Sequence, residues 1–194
     1  MEFNMKIFQE GMFKQITDVL MTHIYTVVIG TVMGFMFMTW LIDKPIGYTI
    51  FSAVFTLIYF SAIYSKAWEC AERDKKPFTP TSVYLFKGAV LSVGILVFNV
   101  VLWAAYLFAW RSLTIDGAMV TATGIIYNVL YVINTFMYSG FVKITQGVVP
   151  WQAHLIIMLV PLVASTIGYI AGVKNFTLSD KLMPFIYEKK KTKE

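Results

Sequence analysis

Long apolar runs separated by short polar turns set the pattern of this chain. Residues 24–42 contain nineteen positions without a charge. As a helix they extend about 28 Å at ~1.5 Å per residue, close to a ~30 Å hydrocarbon core. The pattern predicts a first span over 16–42 and a second over 47–64. A third covers 88–110, twenty-three residues with no charge. A fourth covers 153–172, where Pro161 frees a backbone carbonyl and predicts a kink. Asp43-Lys44-Pro45 is too short to do more than turn the chain, and Pro45 stops a helix, so spans one and two form an antiparallel pair. Helix is expected to continue beyond span two through Asp74. Phe78-Thr79-Pro80-Thr81 makes the next turn, with Thr81 or Ser82 placed to cap span three.

Residues 117–141 are apolar enough to span but are two-faced. Ile126, Val129, Leu130, Ile133 and Met137 fall on one helical stripe. Thr123, Tyr127, Tyr131, Asn134 and Tyr138 fall on a face about 100° away. Such a helix suits the membrane interface or a lid over the outer ends of its neighbours. Basic residues favour the cytoplasmic side of a membrane. With four spans and an inside N-terminus, thirteen Lys and Arg lie inside and three outside; a fifth span at 117–141 makes it eight against eight. The expected fold is therefore all-α, with four transmembrane helices plus one outer interfacial or re-entrant amphipathic helix. Five transmembrane helices are the alternative. Both termini are then cytoplasmic, in one membrane domain covering 1–194, with a basic tail over 173–194.

Composition agrees with a membrane class. The chain is 58% hydrophobic and 14% charged, against about 45–50% and about 25% in soluble domains; its mean hydropathy is +0.67. Glu2 and Glu10 beside Lys6 and Lys14 do not resemble a secretory leader, and the apolar run that follows is too long for one. Residues 1–15 read as a mixed-charge, partly amphipathic lead. The single cysteine, Cys70, excludes an intrachain disulfide and a cysteine-based metal cage. The net charge of +5 sits beside apolar runs, which points to a membrane surface rather than nucleic acid.

Small residues mark where helices can approach closely. Gly30 and Gly34 form a GxxxG pattern, and Ala164, Gly168 and Gly172 make a second strip at the same spacing. Packing within the chain is the plain reading; a homo- or hetero-oligomer is the sharper one. Asn99 lies mid-span and needs a partner on another helix. Together with Tyr127, Tyr131, Asn134 and Tyr138 it is the best candidate for holding a polar ligand. Asp18 and His23 are expected at the start of span one, within reach of water or headgroups. His23 and His154 fall on opposite sides and cannot share a metal within one subunit. The acidic and basic cluster Glu69, Glu72, Arg73, Asp74, Lys75 and Lys76 reads as a solvated helix end, with Glu69 and Arg73 on one face. Lys189, Lys190, Lys191 and Lys193 form a basic patch suited to anionic lipid headgroups. No GxSxG, HExxH or Walker pattern is present, and no cofactor or metal is implied.

Two patches carry a family likeness. Gly168-Tyr169-Ile170-Ala171-Gly172-Val173-Lys174-Asn175, closing on Ile186-Tyr187-Glu188-Lys189-Lys190-Lys191, is one. Ala67-Trp68-Glu69-Cys70-Ala71-Glu72-Arg73-Asp74 is the other. Both resemble small multi-span plasma-membrane proteins, as yet uncharacterised, of clostridial-type Gram-positive bacteria; the resemblance implies a bacterial membrane protein and no activity. The expected function is thus a non-enzymatic accessory or structural subunit. The alternatives are a small-solute or lipid transport component, and a lipid-active enzyme using the carboxylates of 69–74.

Overall fold

The computed structural model describes residues 5–41, 44–77, 82–116 and 151–176, all of them helix or the turns beside helices. Five helices follow in order: α1 Met5–Leu41, α2 Pro45–Asp74, α3 Lys87–Leu91, α4 Val93–Asp116 and α5 Trp151–Val173. Three apolar windows are long enough to cross a membrane: Gly11–Gly34, Thr49–Asp74 and Lys87–Phe108. A shorter one, Met158–Val173, lies in α5.

The helix ends follow local chemistry. Pro45 occupies the first turn of α2, where its missing N–H leaves no bond unmade. At the end of α5, Asn175 takes φ 51°. Its N–H donates to the Gly172 carbonyl, and Phe176 N–H donates to Ala171 at 2.8 Å. This is the left-handed closure that satisfies the last carbonyls of a helix. The third apolar run is interrupted once: α3 ends at Ser92, whose Oγ donates to the Ala89 carbonyl at 2.7 Å. Neither candidate cap is seen at its start. Phe86 occupies the N-cap of α3 without a side-chain bond, and Thr81 lies outside the described residues.

Contacts fix the helix directions. Phe37 stacks on Phe51 with centroids 5.3 Å apart, His23 meets Tyr59 and Gln15 meets Asp74, so α1 and α2 run antiparallel. Gly94 faces Ile16 and Phe98 faces His23, so α4 runs parallel to α1. Gly168 faces Tyr64 and Gly172 faces Trp68 and Ala71, so α5 runs parallel to α2. The α2–α5 pair makes the most extensive contact, followed by α1–α2 and α3–α5. One end of the bundle therefore holds Gln15, Asp74, Lys87 and Tyr169. The opposite end holds Leu41, Pro45, the C-terminus of α4 and the N-terminus of α5.

The core is a narrow seam of Val19, Tyr59, Ile63, Ala67, Leu91, Ile95, Ala164 and Tyr169. Outside it, large apolar side chains are exposed along α1 (Val28, Ile29, Val32), α2 (Val54, Leu57, Ile58) and α4 (Val97, Val100, Val101). A contiguous apolar surface of this extent suits lipid rather than water.

The expected spans over 47–64 and 153–172 fall within α2 and α5, and that over 88–110 within α3 and α4 with the break at Ser92. That over 16–42 falls within α1 as far as Leu41, Ile42 lying outside the described residues. The mixed-charge lead is helical from Met5 onward and belongs to the same continuous helix as the first span. Nothing between Met5 and Leu41 breaks it, because no proline interrupts that stretch. The amphipathic segment 117–141 and the tail beyond residue 176 lie outside the described residues.

Candidate functional site

A buried polar centre closes one end of the bundle, and four helices build it. Asp74, in the last turn of α2, accepts three hydrogen bonds. Lys87 Nζ donates to Oδ2 at 2.5 Å, the Tyr169 hydroxyl to Oδ2 at 2.7 Å, and Gln15 Nε2 to Oδ1 at 2.7 Å. The side chains of Asp74 and Lys87 are fully buried. Lys87 Nζ also lies 5.9 Å from the Tyr169 ring centroid and 3.4 Å from the Ser82 carbonyl. Desolvating such a pair is costly unless its remaining hydrogen-bonding capacity is met. Here it is met by a phenol from α5 and an amide from α1. Gly88 allows this closeness, since a Cβ there would lie 2.5 Å from the Ser165 carbonyl oxygen of α5.

Around this centre runs a shell of more exposed ion pairs. Arg73 Nη2 donates to Asp18 at 3.0 Å and to Cys70 Sγ at 3.5 Å. Lys66 pairs with Glu69 at 2.9 Å, and Lys75 with Glu72 at 2.5 Å; Lys75 also bonds Asn175 beyond the end of α5. Exposed pairs of this kind contribute about 0–1 kcal/mol each. The Tyr84 phenol is pushed above its ordinary value, first by burial and then by the nearby Asp74 carboxylate. One expectation changes: Asp74 is not part of a solvated helix end. Arg73 also reaches across to α1, and Glu69 bonds Lys66. The continuous α1 is the cause, because it places Gln15 and Asp18 beside the last turns of α2.

A second polar group lies deeper, between α1, α2 and α4. His23 is 1% exposed, which overturns its expected contact with water or headgroups. It lies eighteen residues into α1, about 27 Å from the helix start. Its Nδ1 is hydrogen-bonded to the Tyr59 hydroxyl at 2.8 Å. Its ring meets Tyr59 and Phe98 edge-on, with centroids 5.6 and 5.5 Å away. Asn99, 8% exposed, stands beside it. His23 Nε2 and Asn99 Nδ2 are buried without a hydrogen-bond partner among the described residues.

The other expected site residues are distributed as follows. Ala164, Gly168 and Gly172 are buried on α5. A Cβ at Gly172 would lie 2.6 Å from Ala71 Cβ, and one at Gly168 would collide with the Tyr64 carbonyl oxygen. Gly30 is buried, whereas a Cβ at Gly34 would meet nothing within 4 Å. Tyr127, Tyr131, Asn134 and Tyr138 lie outside the described residues, as do Lys189, Lys190, Lys191 and Lys193. Among the described residues no group of three His, Cys, Asp or Glu side chains is arranged to hold a metal. Gln15, Lys87 and Tyr169 are the site residues missed in the sequence. A single Lys at the edge of a charge-free run was the available signal, because it borders hydrocarbon and needs a partner.

Together the fold and the polar centre define a class: among the described residues, a helical bundle with three apolar helices of membrane-spanning length and one shorter apolar helix, tied at one end by a buried ion pair. No family model, curated protein or solved structure matches the chain.

Proposed function

We propose that this chain is a non-enzymatic, four-span integral membrane protein that serves as an accessory or structural subunit, with both termini cytoplasmic. The alternation of helix directions supports four spans. The chain leaves α4 and enters α5 at the same end of the bundle, so the link between them crosses the membrane an even number of times. Residues 117–141 can hold one crossing, and what remains before Trp151 is too short for a second. The charge distribution supports the orientation. Lys14, Lys66, Arg73, Lys75, Lys76, Lys87 and Lys174 belong to the Asp74 end, against Lys44 and Arg111 at the other.

The observation that carries the structural role is the use made of Asp74. Gln15, Lys87 and Tyr169 reach it from three different helices, which is the wiring of a tie rather than of an open reaction site. The exposed apolar flanks of α1, α2 and α4 then face lipid or a partner's helices. Mild crosslinking in native membranes should capture a neighbour or a second copy. A monomer in detergent that captures nothing in membranes would remove this reading.

One observation favours a second reading, a component that passes a small polar solute. His23 Nε2 and Asn99 Nδ2 leave hydrogen-bonding capacity in an apolar seam. Cells carrying Asn99→Leu should then lose uptake of that solute; unchanged uptake counts against it.

A further inference from the structure

The segment before α3 has an unusual surface for a connector. Val83, Tyr84, Leu85 and Phe86 are 43, 37, 53 and 75% exposed. Four consecutive large apolar side chains turned outward are costly in water, at ~25 cal/mol per Å² of apolar area. They are also held in place. Lys87 N–H donates to the Tyr84 carbonyl at 3.0 Å, Ala89 N–H to Phe86 at 3.1 Å, and Lys87 Nζ reaches the Ser82 carbonyl. The backbone is therefore tied to the buried ion pair; Tyr84, the least exposed of the four, lies within reach of the Asp74 charge, while Val83, Leu85 and Phe86 are the more exposed.

Two features indicate what covers them. α4 exposes Val93, Val97, Val100 and Val101, and residues 83–86 lie before its start, across the short α3. At the same end, Lys76 and Lys174 are exposed. Exposed apolar side chains and ammonium groups at one end of the bundle match the boundary between acyl chains and anionic headgroups.

We propose that residues 83–86, with Lys76 and Lys174, form a docking surface for anionic phospholipid of the protein's own leaflet. Phe86 and Leu85 enter the acyl boundary, Tyr84 lies at the level of the headgroups, and the two lysines bind their phosphates. This rests on the membrane reading above.

The test uses the full chain in vesicles, with Cys70→Ser and a nitroxide label at Phe86→Cys or at Val97→Cys. Relaxation by oxygen, which favours hydrocarbon, is compared with relaxation by a neutral nickel chelate, which favours water. Val97 should report hydrocarbon. Phe86 should report a shallower apolar position in phosphatidylcholine and a deeper one when phosphatidylglycerol is added. Lys76→Gln with Lys174→Gln should abolish that added depth. If Val97 reports hydrocarbon while Phe86 reports water in both vesicles, the proposal fails and the membrane reading stands. A Phe86 label shielded from both relaxants means that protein covers it, which also overturns the proposal. If Val97 itself reports water, the membrane reading fails with it.

Discussion

Asp74 and Lys87 pair with each other while fully buried, and this makes their energetics asymmetric. Removing one partner leaves an uncompensated buried charge and should cost ~3–5 kcal/mol. Lys87→Met or Asp74→Asn should therefore lower the unfolding midpoint in detergent sharply. The double variant should cost less than the two single losses added together, by ~0.5–3 kcal/mol in a double-mutant cycle. Additive losses would mean that the pair contributes little as a pair. Tyr169→Phe removes one donor to a charged acceptor and should cost roughly 1.5–3 kcal/mol. At this scale the sequence was only partly legible. A cluster of charges was visible after span two, but which of them turns inward depends on where α1 lies. Gln15 and Tyr169, one hundred and fifty-four residues apart in the chain, carry no pattern that announces a shared partner. His23 was misplaced for a related reason: local spacing put the membrane edge too late in a helix that begins at Met5.

At the scale of elements, the two small-residue strips part company. On α5, Gly168 and Gly172 bring the helix backbone against Tyr64, Trp68 and Ala71 of α2. The atoms in the way include backbone, which cannot swing aside. Gly168→Leu should therefore separate α2 from α5 at a cost of at least about 1–3 kcal/mol. Gly34→Ala should leave stability within ~0.5 kcal/mol, since nothing lies within 4 Å of the added carbon. Thermal unfolding of both variants in one detergent checks the contrast; equal effects would contradict the packing described. Spacing four was legible in both strips, but spacing does not reveal what stands opposite. The apolar runs themselves were plain, because helix length and lipid thickness are matched by simple arithmetic. The short break at Ser92 was not, since serine is common inside helices and here merely bonds back to Ala89.

For the whole molecule, helix direction and charge both support the proposed four-span arrangement. α1 and α4 run one way, α2 and α5 the other, and most described lysines gather at the end closed by Asp74. The sequence offered the charge bias and the two-faced pattern of 117–141, and it had to choose between one crossing and none for that segment. The added information is the parallel pairing of α5 with α2, read from the contacts of Gly168 and Gly172.

The four-span arrangement is tested most directly by the sidedness of two positions. Single cysteines replace Lys44 and Lys174 in a Cys70→Ser background, and an impermeant thiol reagent is applied to intact cells. The account predicts labelling at position 44 without permeabilisation, and at position 174 only after it. Labelling of both positions in intact cells would contradict it.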